Sequence, residues 1–296
     1  MNGSRAQLKS NDMRCPVCSG QSRTLFTKQG YTFFRCKKCK HVFISPMPEF
    51  KDILEHYRNK SEQLTGNYNL EFQLDARQEI PRIYLRILIN LGITGGKLLD
   101  IGCFTGDFLD AAVLAGFESY GLEFQAEAAR VAATKHKGRI YNCMIEDASK
   151  LVDLQFDVIT MFDVIEHLRD PGSLFRLVRK ILVPNGVVII STPSSNSWQA
   201  RIMGRYWPAF APVEHINIFS SYSLTIMLKD FGFSIVQCHP LRKRLEIGWG
   251  ICQLRNFSPG LFPVFRTVSR AMPNFVLRHR VPVSIGEIWM AARICQ

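Results

Sequence analysis

The sequence predicts an α/β fold, a doubly wound parallel sheet with helices on both faces, preceded by a small four-cysteine module. Three observations predict it. From Lys97 onward, strand-like apolar runs alternate with helical ones, as in stacked βαβ units. The run ending at Ile101 leads straight into the turn Gly102-Cys103-Phe104-Thr105-Gly106, and ligands of such sheets bind at the carboxyl ends of strands. Two Cys-x-x-Cys pairs, Cys15/Cys18 and Cys36/Cys39, stand 17 residues apart near the beginning.

Composition bounds the rest. The chain has 296 residues, 47% of them hydrophobic, so a sizeable core is available and wholesale disorder is excluded. No run of about 18 uncharged apolar residues exists, so no spanning helix is predicted. Met1 to Asp12 is polar and lacks an apolar leader core, which predicts a cytoplasmic protein. There, nine cysteines are expected as metal ligands or buried thiols rather than disulfides. The net charge of +12 is unevenly spread. Residues 1–60 hold 12 basic and 4 acidic side chains, residues 61–240 hold 16 and 19, and residues 241–296 hold 9 and 2. The middle is therefore slightly acidic and both ends are basic, which weakens a nucleic-acid reading of the total.

Residues 1–48 are expected as a zinc ribbon. Each cysteine pair makes a tight knuckle, and two knuckles close a tetrahedral site of Cys15, Cys18, Cys36 and Cys39. Thr24 to Phe34, rich in β-branched and aromatic residues, supplies the strands. Arg35, Lys37, Lys38 and Lys40 would offset the thiolate charge. With four cysteines filling the site, His41 is expected on the surface. Pro46 and Pro48 end the ribbon. Residues 49–91 read as a helical linker and cap: Glu49 to Lys60 is amphipathic, and Asp75 to Leu91 carries Ile83, Leu85, Ile87 and Leu88 at helical spacing. Ser61 to Asn69 reads as a polar loop. Residues 92–296 form the large domain.

In that domain the predicted strands are Lys97–Ile101, Ser119–Leu122, Arg139–Asn142, Phe156–Phe162, Val187–Ser191 and Ser234–Cys238. The predicted helices are Asp107–Ala115, Gln125–Lys137, Ser173–Ile181 and Ser220–Phe231. The first turn departs from the dinucleotide fingerprint, because Phe104 and Asp107 occupy its second and third glycine positions. Carboxylates at Asp100 and Asp107 would repel a pyrophosphate but suit a ligand bearing an ammonium and a sulfonium, namely S-adenosylmethionine. Glu123, at the end of the second strand, suits a pair of ribose hydroxyls.

With these residues in view, the middle of the chain resembles the class I S-adenosylmethionine-dependent methyltransferases. The likeness rests on Leu99 to Gly106, on Glu123, on Ile145-Glu146-Asp147-Ala148, on Phe156 to Leu168 and on Pro184 to Ile190. It implies a Rossmann-like seven-stranded methyltransferase sheet. By position it implies that Asp100, Gly102 and Gly106 hold the methionine part, with Cys103 of the same turn also at the cofactor, that Glu123 binds the ribose, and that Asp147, with Glu146 beside it, meets the adenine. Phe162, Asp163 and His167 would line the cofactor. Phe104 stands where the family has a glycine. In some quinone-pathway O-methyltransferases a similar Asp-x-x-Glu-His stretch is linked to a divalent ion; here Asp163, Glu166 and His167 either do this or shape the loop through hydrogen bonds.

The acceptor is expected after the fourth and fifth strands. Residues 192–219 form a long connection with Trp198, Tyr206, Trp207 and Phe210, expected to line a pocket. Glu214-His215 follows, with His215 the candidate general base and Glu214 its partner. This pair resembles the Glu-His of zinc-containing sugar C-methyltransferases, which also carry an N-terminal zinc module. Those proteins are longer and have a tyrosine where this chain has Pro212. Glu287 to Arg293 reads as the closing antiparallel strand. Before it, a basic insertion at about 241–284 interleaves aromatics and arginines at roughly helical spacing from Leu261 to Leu277. It reads as a lid with arginines for an anionic substrate, as a segment on an anionic membrane surface, or as a dimer interface.

The function expected is methyl transfer to a small-molecule acceptor, such as a sugar nucleotide or a secondary-metabolite or envelope precursor, with S-adenosylmethionine as cofactor and Zn²⁺ as a structural ion. The alternatives are an RNA methyltransferase and a non-catalytic binding protein on a methyltransferase fold.

Overall fold

The computed structural model describes residues 13–56, 70–248, 251 and 262–295. Three short strands open the chain: β1 (Ser22–Lys28), β2 (Tyr31–Cys36) and β3 (Val42–Ser45). A helical turn at 50–56 follows. The large domain then runs α1 (Leu70–Asn90), β4 (Gly96–Ile101), α2 (Asp107–Leu114), β5 (Phe117–Glu123), α3 (Ala126–Lys135), β6 (Ile140–Asn142), β7 (Phe156–Phe162), α4 (Pro171–Ile181) and β8 (Leu182–Pro193). It closes with α5 (Trp198–Met203), β9 (Asn217–Ile218), α6 (Ser221–Asp230), β10 (Phe233–Pro240), β11 (Lys243–Glu246), α7 (Phe262–Arg270), α8 (Asn274–Leu277), β12 (Arg280–Val283) and β13 (Glu287–Ile294). Among these residues no helix is long and apolar enough to cross a membrane.

Seven strands form the main sheet in the order β10-β13-β8-β7-β4-β5-β6. The β4–β7 and β4–β5 pairs are parallel, and β13 lies antiparallel between β8 and β10. The central strands are buried on both faces. Leu98, Leu99, Ile101, Ile159 and Met161 are all fully enclosed, as expected of strands covered by helices on each side. Helix α4 shows how the sequence sets an element. Asp170 caps it by accepting from Gly172 N at 2.9 Å, Pro171 occupies the first turn, and Leu174, Phe175, Val178 and Ile181 form its buried stripe.

The small sheet is ordered β1-β2-β3-β9. Among the described residues, 13–48 do not complete it: β9, from the far end of the aromatic connection, pairs with β3 through Val42↔Ile218 and Phe43↔Asn217. The basic insertion also differs from its expected single helical run. Pro273 cannot continue a helix, so α7 stops and α8 restarts after it, while β11 and β12 pair as an antiparallel ribbon. Leu261, Trp249, Phe257 and the polar stretch Ser61 to Asn69 lie outside the described residues.

Candidate active site

The cleft opens where β4 and β7 end. Gly102 has φ 79°, and a Cβ there would sit 2.5 Å from Val164 Cγ2. Phe104 keeps a left-handed backbone at φ 48° despite its side chain, a conformation that costs about 1–2 kcal/mol in a non-glycine residue. Its amide donates to Glu123 Oε2 at 3.0 Å, and Gln125 N donates to Oε1 at 2.8 Å. The turn and the acid ending β5 are thus one hydrogen-bonded unit. Burial pushes the Glu123 pKa up, while these amides oppose the shift.

A cavity of about 340 Å³ lies against this unit. Gly102, Glu123, Phe162, Asp163 and His167 line it, with Phe50, Ile53 and Leu54 of the turn at 50–56 forming part of its wall. The remaining predicted cofactor residues sit elsewhere. Asp100 is buried below the turn, accepting from Thr160 Oγ1 at 2.7 Å. Burial pushes its carboxyl up to about 7, with the Glu123 charge adding to the shift. Cys103 packs down toward Gly121, where an added Cβ would meet its Sγ at 2.5 Å. Gly106 starts α2 at φ 80°. Asp147 is exposed beyond the Cys143–Ile145 wall, and the side chain of Glu146 lies outside the described residues. The cavity is largely apolar, with a carboxylate at each end, Glu123 and Asp163. That donor set fits an elongated ligand with hydroxyls at one end and a cationic centre at the other, which are the chemical features of S-adenosylmethionine.

At the Asp163 end, residues from distant segments converge. Asp163 has φ 56°. Ser191 Oγ donates to its Oδ1 at 2.9 Å and Tyr84 Oη to its Oδ2 at 3.1 Å. The Tyr84 ring lies on Phe162, with centroids 3.6 Å apart and planes 2° from parallel. Lys243 Nζ, from the basic insertion, is 3.7 Å from Asp163 Oδ2 and 2.6 Å from Glu287 Oε2. Burial works against the Lys243 charge, but the surrounding acidic groups outweigh it and raise its pKa. Burial, reinforced by Asp163, pushes Glu287 up to about 7. Tyr84, Ser191, Lys243 and Glu287 were not singled out from sequence. No local pattern distinguishes them, since each meets Asp163 through the fold.

His167 lines the cavity together with Asp163, and His215 stands next to His167. His167 Nδ1 lies 2.7 Å from the carbonyl of Glu214, and His215 Nδ1 lies 2.8 Å from the carbonyl of Ala209. A carbonyl only accepts, so each Nδ1 carries a proton, and Nε2 is the atom left to act as a base when the ring holds a single proton. The rings are 4.9 Å apart. Glu166 is fully buried: its Oε2 accepts from Thr192 Oγ1 at 2.9 Å, and its Oε1 has no hydrogen-bond partner. Burial and the Asp163 charge raise its pKa well above the carboxylate range. Glu166, His167 and His215 each offer a ligand-type atom within 4.8 Å of the others. Glu214 directs its carboxylate to His56 Nε2 at 3.5 Å.

Two expectations are corrected. His41 is not on the surface; it is fully buried, with Nε2 3.1 Å from Asn217 Oδ1. Burial lowers its pKa to about 4, so it is neutral in the interior. The aromatics of residues 192–219 do not line the cavity. Trp207 and Phe210 pack on the ribbon, with Phe210 5.1 Å from Phe26 and 5.4 Å from Phe33, while Trp198 and Tyr206 are exposed. The hydrophobic face of the ribbon needed a cover, and this connection supplies it.

In the ribbon, the sulfurs of Cys15, Cys18, Cys36 and Cys39 lie within 4.8 Å of one another. Cys15–Cys39 and Cys18–Cys36 are 3.6 and 3.5 Å apart. A tetrahedron with Zn–S near 2.3 Å has edges of roughly 3.8 Å, so the four thiols fit that ion.

A seven-stranded sheet of this order, with a glycine turn and an acid ending the second strand of the domain, defines an α/β ligand-binding enzyme class. Residues 72–238 match the methyltransferase domain family, and the chain belongs to it. It is 32% identical over 119 residues to the ubiquinone biosynthesis O-methyltransferase of Idiomarina loihiensis, covering 38% of this chain and 49% of that one. The corresponding protein of Erwinia tasmaniensis is 31% identical over 120 residues, with the same coverage. The chain thus spans about half the length of the curated relatives it matches. Among solved structures it resembles a SAM-dependent methyltransferase from Archaeoglobus fulgidus (TM-score 0.50, 19% identity, 73% of this chain and 94% of that one). It also resembles the magnesium protoporphyrin IX methyltransferase of Synechocystis PCC 6803 with bound SAH (TM-score 0.51, 13% identity, 83% and 100%). At these identities the likeness shows the fold alone.

Proposed function

We propose that the protein transfers a methyl group from S-adenosylmethionine to a small hydroxyl-bearing acceptor, with His215 as general base. The observation that carries this reading is that His167 lines the Asp163 end of the cleft and the His215 ring stands behind it, 4.9 Å away, with both Nδ1 atoms pinned by backbone carbonyls. The cofactor would supply an electrophilic methyl on a sulfonium, whose S–CH3 bond would break as the acceptor oxygen attacks, the electron pair staying on sulfur to leave neutral S-adenosylhomocysteine. Glu123 would accept from its ribose hydroxyls, and Phe162 would pack along it. His215 Nε2 would take the acceptor's proton as the new bond forms, because Nδ1 is already committed to Ala209.

An oxygen acceptor is supported by the relatives, which are named O-methyltransferases. Residues 1–48 act as a structural zinc ribbon on Cys15, Cys18, Cys36 and Cys39, and residues 49–91 as a linker whose first turn closes the cleft. The acidic middle of the chain disfavours an RNA acceptor.

Calorimetry with S-adenosylmethionine, paired with single-turnover rates, tests this reading. His215→Ala is expected to retain cofactor affinity and lose about 10²–10⁴ in turnover. Equal loss of both, or of neither, removes His215 as the base. Absence of cofactor binding by the unaltered chain would instead support a non-catalytic binding protein.

A further inference from the structure

The ribbon's positive charge is not absorbed by the cleft. Residues 13–48 contain seven Lys and Arg and neither Asp nor Glu. A four-thiolate zinc site would carry a net charge of about −2 and so offset only part of this. Five of the cations on this side of the molecule border one cavity of about 480 Å³: Arg23, Arg35, Lys37 and Lys40 of the ribbon, and Arg201 of α5. No carboxylate lines it, and among the described residues none of the five has an ion-pair partner.

The geometry keeps these charges together at a cost. Arg23 and Arg35 are direct partners across β1 and β2, and like charges facing each other on a sheet destabilise it. Arg35 is also held in place, its Nη2 donating to Ser195 O at 3.4 Å and Asn196 Oδ1 at 3.1 Å. Lys40 Nζ donates to the carbonyl of Lys37 at 2.6 Å. These acceptors orient the cations and neutralise none of them.

We propose that this cavity is a binding site for a small phosphate-bearing ligand, with Arg23, Arg35 and Arg201 converging on a diphosphate-type anion. Guanidinium forks match phosphate oxygens in pairs, and an anion seated there would relieve the Arg23–Arg35 repulsion. A single-stranded nucleic acid is the competing polyanion, but such strands are bound along grooves with aromatic stacking platforms, and no aromatic residue lines this cavity. The cavity shares no lining residue with the cofactor cleft, so the site stands or falls separately from the methyl-transfer reading.

The test is calorimetric titration of inorganic pyrophosphate into the zinc-loaded full chain, at about 0.15 M salt and free of phosphate and sulfate. One saturable site is expected. The Arg23→Gln/Arg201→Gln double variant should weaken it by at least about tenfold, with zinc content and S-adenosylmethionine affinity unchanged. Arg201→Gln alone, at an exposed position outside the ribbon, provides a second variant that leaves the ribbon strands intact and should weaken binding in the same direction. Pyrophosphate should also raise the melting temperature of the unaltered chain more than that of the double variant.

Three results would overturn the proposal. One is no binding to the unaltered chain, or undiminished binding to both variants. Another is loss of zinc from the double variant, which would assign these charges to the metal site. The last is a single-stranded oligonucleotide that displaces pyrophosphate with higher affinity and is itself weakened by the same substitutions, which would assign the site to nucleic acid.

Discussion

The two ends of the cleft are built differently. The Glu123 end comes from one continuous stretch, β4 through the turn and α2 to the end of β5, and its principal bonds link Phe104 and Gln125 to Glu123. The Asp163 end is assembled from α1, β7, β8, the connection carrying His215, the basic insertion and β13. The first relies on backbone conformation and amides. The second relies on charges that hold one another, with Lys243 buried, Glu287 largely so and Asp163 facing the cavity. An end of the first kind tolerates changes in distant segments, whereas an end of the second kind registers a change in any of its contributors.

The largest expected effect follows from that difference. Lys243→Met removes the cation between Asp163 and Glu287 and leaves the buried Glu287 carboxyl without its 2.6 Å partner, a loss of about 3–5 kcal/mol. Denaturant unfolding measures it. A change below about 1 kcal/mol would mean that the insertion does not hold this end together.

A smaller effect is expected from pH at the other end. The Asp100 carboxyl has a usual value near 3.8 and is raised to about 7 by burial and by Glu123. The folded chain therefore holds this proton more tightly than the unfolded one. Its contribution to stability is fully present below the unfolded value and is lost as pH rises from about 4 toward 7. Melting temperatures of the cofactor-free chain across that range should fall less steeply in Asp100→Asn than in the unaltered chain. Identical slopes would remove Asp100 as a source.

The smallest effect concerns Phe104. A glycine there relieves the left-handed strain at φ 48°, a gain of about 1 kcal/mol, reduced by the loss of the ring from the cavity wall. Phe104→Gly is thus expected to leave stability within about 1 kcal/mol of the parent in urea titration. A large destabilisation would show that the ring, and not the backbone, sets the turn.

The same contrast decides what the sequence could reveal. Local signals carried far. The strand predicted at Phe156–Phe162 is observed with those bounds, and Glu123 ends the second strand of the large domain as expected and lines the cavity. Contacts made through the fold left no trace. Lys243 sat in a stretch read as a basic appendage, and nothing adjacent marks it as the cation facing Asp163. Strand β9, two residues long, is too short for any periodicity to show. His41 was placed on the surface because counting ligands says nothing of packing, and its burial depends on Asn217, 176 residues away. The aromatic pattern of residues 192–219 does not distinguish a ligand from a neighbouring sheet, and it is the ribbon that Trp207 and Phe210 cover.

The strand shared between β3 and β9 also has a consequence for the order of folding. The ribbon is made before the large domain, yet its sheet lacks a fourth strand until Asn217 and Ile218 are available. Closing a contact of that sequence separation is slow compared with forming local turns. Until then Phe33 and its neighbours lack Trp207 and Phe210 as cover. A nascent chain therefore carries a bare aromatic face through most of its synthesis. It is hidden only when the segment bearing His215 docks, so the candidate base reaches its place in the same event that makes the chain safe from aggregation.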